Sequence, residues 1–185
     1  MAGQNMMRWI ILDRDGVINE DADEPIQSPN EWIALPDSLE AIGRLSQAGF
    51  HIAVLTNQPG IARGQLDPAA LARVHDAMRQ QAAAFGGQID AILVCPHGPE
   101  HSCDCRTPRT GLYRRFAEEH GADLRGVPAV TDSLRGLQAA ESVGAEPILV
   151  ETGKGQKTLR RNPNLDVQTF VNLYEAAQYI LFTQG

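Results

Sequence analysis

The chain has 185 residues, a net charge of -7, 43% hydrophobic and 21% charged residues, which is ordinary for a globular protein and enough for one domain with a buried core. The acidic balance argues against a nucleic-acid partner, because such proteins usually present a basic face. No apolar run approaches the roughly 20 residues of a membrane span, and the N-terminal stretch Trp9–Leu12 is too short for a signal peptide, so a cytoplasmic protein with no membrane partner is expected.

From the N-terminus, short apolar runs alternate with longer segments whose apolar residues recur at three- and four-residue spacing. Trp9–Leu12 is the first predicted strand. Asp37–Ala48 is the first predicted helix, with Asp37 as its cap and Gly49 as its stop. Ile52–Leu55 follows as a strand. Asp67–Phe85 reads as a helix, since Asp67-Pro68 sets a capping side chain before a proline at the first helical position. Then come strand Ile89–Val94, helix Thr110–His120, strand Val127–Val130, helix Leu134–Val143 and strand Pro147–Val150. A last helix is expected around Leu173–Leu181. The alternation predicts an α/β fold, a parallel Rossmann-like sheet with helices on both faces, in one domain over residues 1–185. No extended apolar stripe is left over, which predicts a monomer.

In such sheets ligands bind beyond the carboxyl ends of the strands. Asp13-Arg14-Asp15-Gly16 follows the first strand and Thr56-Asn57-Gln58 the second. The Cys/His segment with Arg106 follows the third, and Thr131-Asp132-Ser133 the fourth. Asn57, Gln58 and Ser133 are thereby candidates for substrate contact. Asp13 and Asp15 concentrate negative charge at one spot, which is costly unless a cation joins them. Magnesium suits that position because it favours oxygen ligands. Asp13 can then attack a phosphorus atom, while Asp15 protonates the leaving oxygen and activates a water. The competing reading is a solvated turn. All three cysteines fall within residues 95–105, an odd number that argues against a disulfide framework. Cys95, His97, Cys103 and Cys105 make a Cys₃His set, which points to a closed structural zinc site. His101 is the alternative imidazole, and a cluster of free thiols the alternative reading.

Leu12-Asp13-Arg14-Asp15-Gly16-Val17-Ile18-Asn19 resembles the first motif of the haloacid dehalogenase phosphatases. Thr56-Asn57-Gln58-Pro59-Gly60-Ile61-Ala62-Arg63-Gly64 resembles their second motif, in the version of the histidinol-phosphate and D-glycero-D-manno-heptose 1,7-bisphosphate phosphatase subgroup. The gaps within the cysteine pairs match that subgroup's zinc loop. The resemblance implies a magnesium-dependent phosphatase in which Asp13 is transiently phosphorylated. Thr56 and the adjacent amides would hold the phosphoryl oxygens. Asp132 would complete the magnesium site with Asp13 and the main-chain carbonyl of Asp15; a plain helix cap is its alternative role. The implied substrate is a phosphorylated sugar. Arg106 would contact a distal phosphate with Arg63 nearby, and the segment Asp21–Glu24 would contact sugar hydroxyls. Heptose bisphosphate is the leading substrate and histidinol phosphate the alternative. With no large cap domain, loops near residues 20–30, 60–66 and 95–110 must shape the pocket.

The chain also departs from the family pattern. Relatives usually read Arg-Lys-Pro where it has Arg106-Thr107-Pro108, and Gly-Asp-x-x-x-Asp where it has Thr131-Asp132-Ser133-Leu134-Arg135-Gly136. Pro59 stands where serine is common. The absent lysine and acid form a cation and its anion, so losing both leaves no orphan buried charge. A catalytically weakened relative that binds phosphorylated metabolites is therefore a further alternative. Arg109 and Lys154 are candidates for a replacement charge, and restoring the pair is expected to need Thr107→Lys and Gly136→Asp together.

Overall fold

The computed structural model describes residues 7–184. Its strands are β1 (Arg8–Leu12), β2 (Phe50–Asn57), β3 (Ile89–Cys95), β4 (Pro128–Thr131), β5 (Glu146–Val150) and β6 (Gln168–Phe170). They form one sheet in the order β3-β2-β1-β4-β5-β6, with every strand pairing parallel. On the central strand β1, Ile10 and Leu12 enter one core layer while Trp9 and Ile11 enter the other. A strand buried on both faces needs a helical layer on each. Helices α1 (Ser38–Gln47), α2 (Pro68–Ala84) and α6 (Leu173–Gln184) supply the first layer through Ile42, Leu45, Val74, Met78 and Ile180. Helices α3 (Gly111–His120) and α4 (Leu134–Ser142) supply the second through Leu112, Phe116, Ala139 and Ala140. No helix among the described residues is long and apolar enough to cross a membrane.

The strand order positions the site. The chain runs outward from β1 to β2 and β3, then returns to place β4 on the other side of β1. Connections therefore diverge between the carboxyl ends of β1 and β4 and leave a crevice there. Asp13 and Asp132 each stand one residue beyond those two strand ends.

The predicted strands and helices are all present, with ends shifted by a few residues. Not predicted were the one-turn 3₁₀ helix Pro29–Glu31 and two later elements, helix α5 (Gly155–Arg161) and strand β6. The latter two lack a readable period, since α5 is the mostly polar GQKTLRR and β6 is only QTF. Asp67 caps α2 as expected, accepting from the N–H of Ala69. Asp37 does not cap α1 with its side chain. It adopts a left-handed backbone (φ 63°) and its carboxylate makes no capping bond. Gly49, at φ 85°, follows the end of α1 as expected.

Candidate active site

The backbone N–H of Asp13 bonds the carbonyl of Val130 at 2.9 Å, so the junction of β1 and β4 holds this residue directly. Its Oδ1 accepts from the N–H of Arg14 (2.9 Å) and its Oδ2 from the hydroxyl of Thr131 (3.2 Å). Asp132 is also buried. Its Oδ2 accepts from the N–H of Lys154 (2.8 Å), and its carbonyl from the hydroxyl of Thr158 (2.9 Å). Asp132 is not the cap of α4. That role belongs to Ser133, whose Oγ accepts from the N–H of Gly136 at 3.2 Å. Burial, then the charges of Asp132 and Asp15, raise the pKa of Asp13 to about 8. Burial raises Asp132 to about 6, with the charge of Asp21 adding to it. Burial outweighs the nearby positive charge in both cases, Lys154 offsetting only part of the rise at Asp132.

A hard cation with oxygen ligands fits this donor set. The backbone is shaped around it by Gly16 (φ 80°) and Gly153 (φ 56°). A Cβ on Gly16 would lie 2.8 Å from Cγ of Asp132, and one on Gly153 would lie 2.5 Å from Cα of Gly16.

Asp15 is held by four donors. Its Oδ1 accepts from Nε and NH2 of Arg14 (3.1 and 2.7 Å) and from Nδ2 of Asn19 (2.9 Å). Its Oδ2 accepts from Nε2 of Gln58 at 2.7 Å. Arg14 is only 1% exposed, and its NH1 donates to Nε2 of His75 at 3.1 Å. Burial, then the charge of Arg14, lower the pKa of His75 to about 4, so a neutral imidazole accepts that bond. Sequence reasoning missed Arg14, His75 and Asn19 as supports. Arg14 stands inside the first motif, but nothing local shows that its charged side chain turns inward.

The three aspartates border a cavity of about 690 Å³. Asn57, Gln58, Ser133, Asp21 and Glu24 line it as well, and so do Arg63, Arg106, Arg135, Lys154, Lys157 and Arg161. Several of these groups are already engaged. Nδ2 of Asn57 donates to the hydroxyl of Thr107 (3.0 Å), Nζ of Lys154 pairs with Asp21 (2.8 Å), and Arg63 pairs with Glu100 (3.1 Å). NH1 of Arg106 donates to the carbonyl of His97 at 3.0 Å, while its buried Nε has no partner among the described residues. Thr56 lies outside this lining. It is buried, accepts from Nε2 of Gln58 at 3.0 Å, and borders a second, small space of about 20 Å³ beside Asp13. Arg109 lines neither space; it donates to the carbonyl of Cys103.

The ligand atoms of Cys95, His97, Cys103 and Cys105 lie within 4.8 Å of one another. Nδ1 of His97 is 3.3 Å from Sγ of Cys105 and 3.9 Å from Sγ of Cys95. Burial and the two neighbouring thiols push Cys105 up to about 12. Three thiols this close ionise together only with a cation among them, and a Cys₃His donor set suits zinc. His101 stands apart from the four, its Nδ1 accepting from the N–H of Gly98 at 3.1 Å.

Residues 104–176 match the family model described as HAD-hydrolase-like. A D-glycero-β-D-manno-heptose-1,7-bisphosphate 7-phosphatase of Bordetella bronchiseptica is 56% identical over 153 residues, covering 83% of this chain and 86% of the relative. The enzyme of that name from Pseudomonas aeruginosa is 52% identical over 150 residues, covering 81% of this chain and 84% of the relative. The crystal structure of a D,D-heptose 1,7-bisphosphate phosphatase from B. bronchiseptica, complexed with magnesium and phosphate, superposes with a TM-score of 0.91 at 50% identity. That match covers 95% of this chain and 99% of the other. Sheet order, carboxylate placement and identity of this extent agree: the chain belongs to the haloacid-dehalogenase-like hydrolase family, in the branch that holds these heptose-bisphosphate phosphatases.

Proposed function

We propose that this chain hydrolyses the 7-phosphate of D-glycero-D-manno-heptose 1,7-bisphosphate. The carrying observation is that one cavity holds both the Asp13, Asp15 and Asp132 carboxylates and the guanidinium groups of Arg63, Arg106 and Arg135. A nucleophile together with guanidinium groups in one cavity suits a substrate bearing two phosphates. Relatives at 56% and 52% identity that carry this activity's name support the reading.

Magnesium, held by Asp13, Asp132 and the Asp15 carbonyl, would neutralise charge on the phosphoryl oxygens. A carboxylate oxygen of Asp13 attacks phosphorus, the bond to the sugar oxygen breaks, and Asp15 protonates that oxygen. Asp15 then takes a proton from water as the water oxygen attacks phosphorus, which frees Asp13 and inorganic phosphate. Thr56, Asn57, Gln58 and Ser133 hold the phosphoryl group. Arg106, with Arg63, takes the distal phosphate, and Asp21 and Glu24 face the sugar hydroxyls. The proposal includes a single catalytic domain with a zinc loop at 95–105, monomeric and cytoplasmic. That no disulfide joins the three clustered cysteines supports a reducing compartment.

The test is phosphate release from heptose 1,7-bisphosphate and from histidinol phosphate, with Asp13→Asn as control. The bisphosphate is expected to be the faster substrate; a preference for histidinol phosphate overturns the assignment. One observation favours a second reading, a phosphosugar binder with slow turnover: the walls of the small space beside Asp13 carry no cation.

A further inference from the structure

Thr131 is 3% exposed and ends β4 directly against Asp13. Its Oγ1 receives the N–H of Ser133 at 3.3 Å, so its own hydrogen is free to point elsewhere. The carboxylate Oδ2 of Asp13 is the acceptor, at 3.2 Å. Behind it, Oγ of Ser133 lies 3.4 Å from Oγ1 of Thr131 and receives the N–H of Gly136. A chain of hydrogen bonds thus runs from the first turn of α4, where N–H groups and the helix dipole are both positive, into the carboxylate of Asp13.

Gly136 belongs to the same unit. A Cβ on Gly136 would lie 2.8 Å from both Cβ and Cγ2 of Thr131, closer than packed carbon atoms come. Gly136 has an ordinary helical backbone, so conformational freedom does not explain its glycine. The space is taken by the Thr131 side chain. Both residues border the small space beside Asp13, along with the hydroxyl-bearing Thr56, Thr107 and Tyr113.

We propose that Thr131 is a positioning residue for the nucleophile, and that Gly136 is glycine in order to admit it. A neutral hydroxyl, backed by the N-terminus of α4, then steadies Asp13 on a side where no cation reaches it. This rests on the reading of Asp13 as the nucleophile.

Thr131→Val keeps the shape and removes the hydroxyl. Its kcat for phosphate release is expected to fall about tenfold, with KM within about twofold, because a hydrogen bond to a charged group is lost without loss of substrate contacts. Thr131→Ser is expected to recover most of the rate. A Thr131→Val enzyme with parental kcat overturns the proposal, as does a Thr131→Ser enzyme no faster than it. Beryllium fluoride with magnesium, a mimic of the phosphorylated aspartate, reads the same contact without turnover. Thr131→Val should bind it about tenfold more weakly, and unchanged affinity overturns the proposal. The packing half is read from thermal melting. Gly136→Ala should lower Tm by about 5 °C or more in the parent and much less in a Thr131→Gly background. Additive losses overturn the pairing. A parent that releases no phosphate but binds beryllium fluoride refutes the proposed activity while leaving Thr131 measurable. One that does neither refutes both.

Discussion

Asp15 is held by four donors from three buried side chains, Arg14, Asn19 and Gln58. In the proposed mechanism Asp15 serves as acid and then as base, which requires one geometry through two proton transfers, and this clamp fixes both of its oxygens. Asp13→Asn is expected to lower turnover about a thousandfold or more, because an amide neither attacks phosphorus nor carries the charge a cation needs. Asp15→Ala should lose most activity, and more so for poorly departing alkoxides; a parental rate in Asp13→Asn would exclude the covalent route, and one in Asp15→Ala its acid–base role. His75 titrates at the back of the clamp. Its pKa of about 4, against 6.5 in an open chain, means that the unfolded state binds a proton the folded state refuses. Stability from this residue is therefore complete above about pH 6.5 and declines as pH falls towards 4, by about 3 kcal/mol at most. His75→Gln keeps an acceptor for Arg14 but cannot titrate. Thermal melts across pH 4–7 should show the parent losing Tm on acidification faster than the variant, and parallel curves would refute the burial of a neutral imidazole.

The segment between β3 and α3 ties the Cys₃His cluster to the cavity through several hydrogen bonds, among them Arg106 to the carbonyl of His97 and the N–H of Gln58 to the carbonyl of Cys95. Arg106 also suffers burial and the nearby charges of Arg135 and Arg63, which weaken its hold on its proton. Such a guanidinium stays in place only if its loop is rigid. The loop has little regular structure of its own, so a zinc ion in the Cys₃His set would add rigidity to it. Cys105→Ser is expected to lose about one zinc per chain by elemental analysis. KM for the bisphosphate should rise about tenfold, with a smaller change for a monophosphate, as supports around a metal loop typically matter to this degree. A zinc-free variant with unchanged KM would separate the loop from substrate binding. Metal-replete parent lacking zinc would refute the Cys₃His site itself. Helix α5 does its work by position as well. A Cβ on its first residue, Gly155, would lie 2.7 Å from the carbonyl carbon of Val150, so the helix starts hard against β5. That close start brings the N–H of Lys154 to Asp132.

Across the whole molecule, residues 107, 131 and 136 come from a loop, a strand end and a helix, yet they wall one space of about 20 Å³ beside Asp13. The expectation that Thr107→Lys and Gly136→Asp would suffice to restore a charge pair needs correction, because the new side chain at 136 collides with Thr131. The change must be threefold, with Thr131→Gly. Phosphate release for the triple variant should exceed the product of the separate effects, a coupling of about 1–3 kcal/mol for groups in direct contact. A triple variant slower than the parent would mean that the hydroxyl arrangement is the better support. Much of this molecule was legible in its residues. Alternating apolar runs require a parallel sheet with two helical layers, because strands apolar on both faces must be covered twice. Asp13, Asp15, Asp132 and the cysteine cluster could be named because each stands at a strand end or in a dense, chemically distinctive stretch. What the sequence left undecided are contacts between segments far apart in the chain: Arg14 with His75, Thr131 with Asp13 and Gly136, Arg106 with His97. Period and composition register whether a side chain is apolar and which face it shares. They carry nothing about where a buried arginine finds its acceptor, or which neighbour fills the space above a glycine, because those are set by how the layers pack.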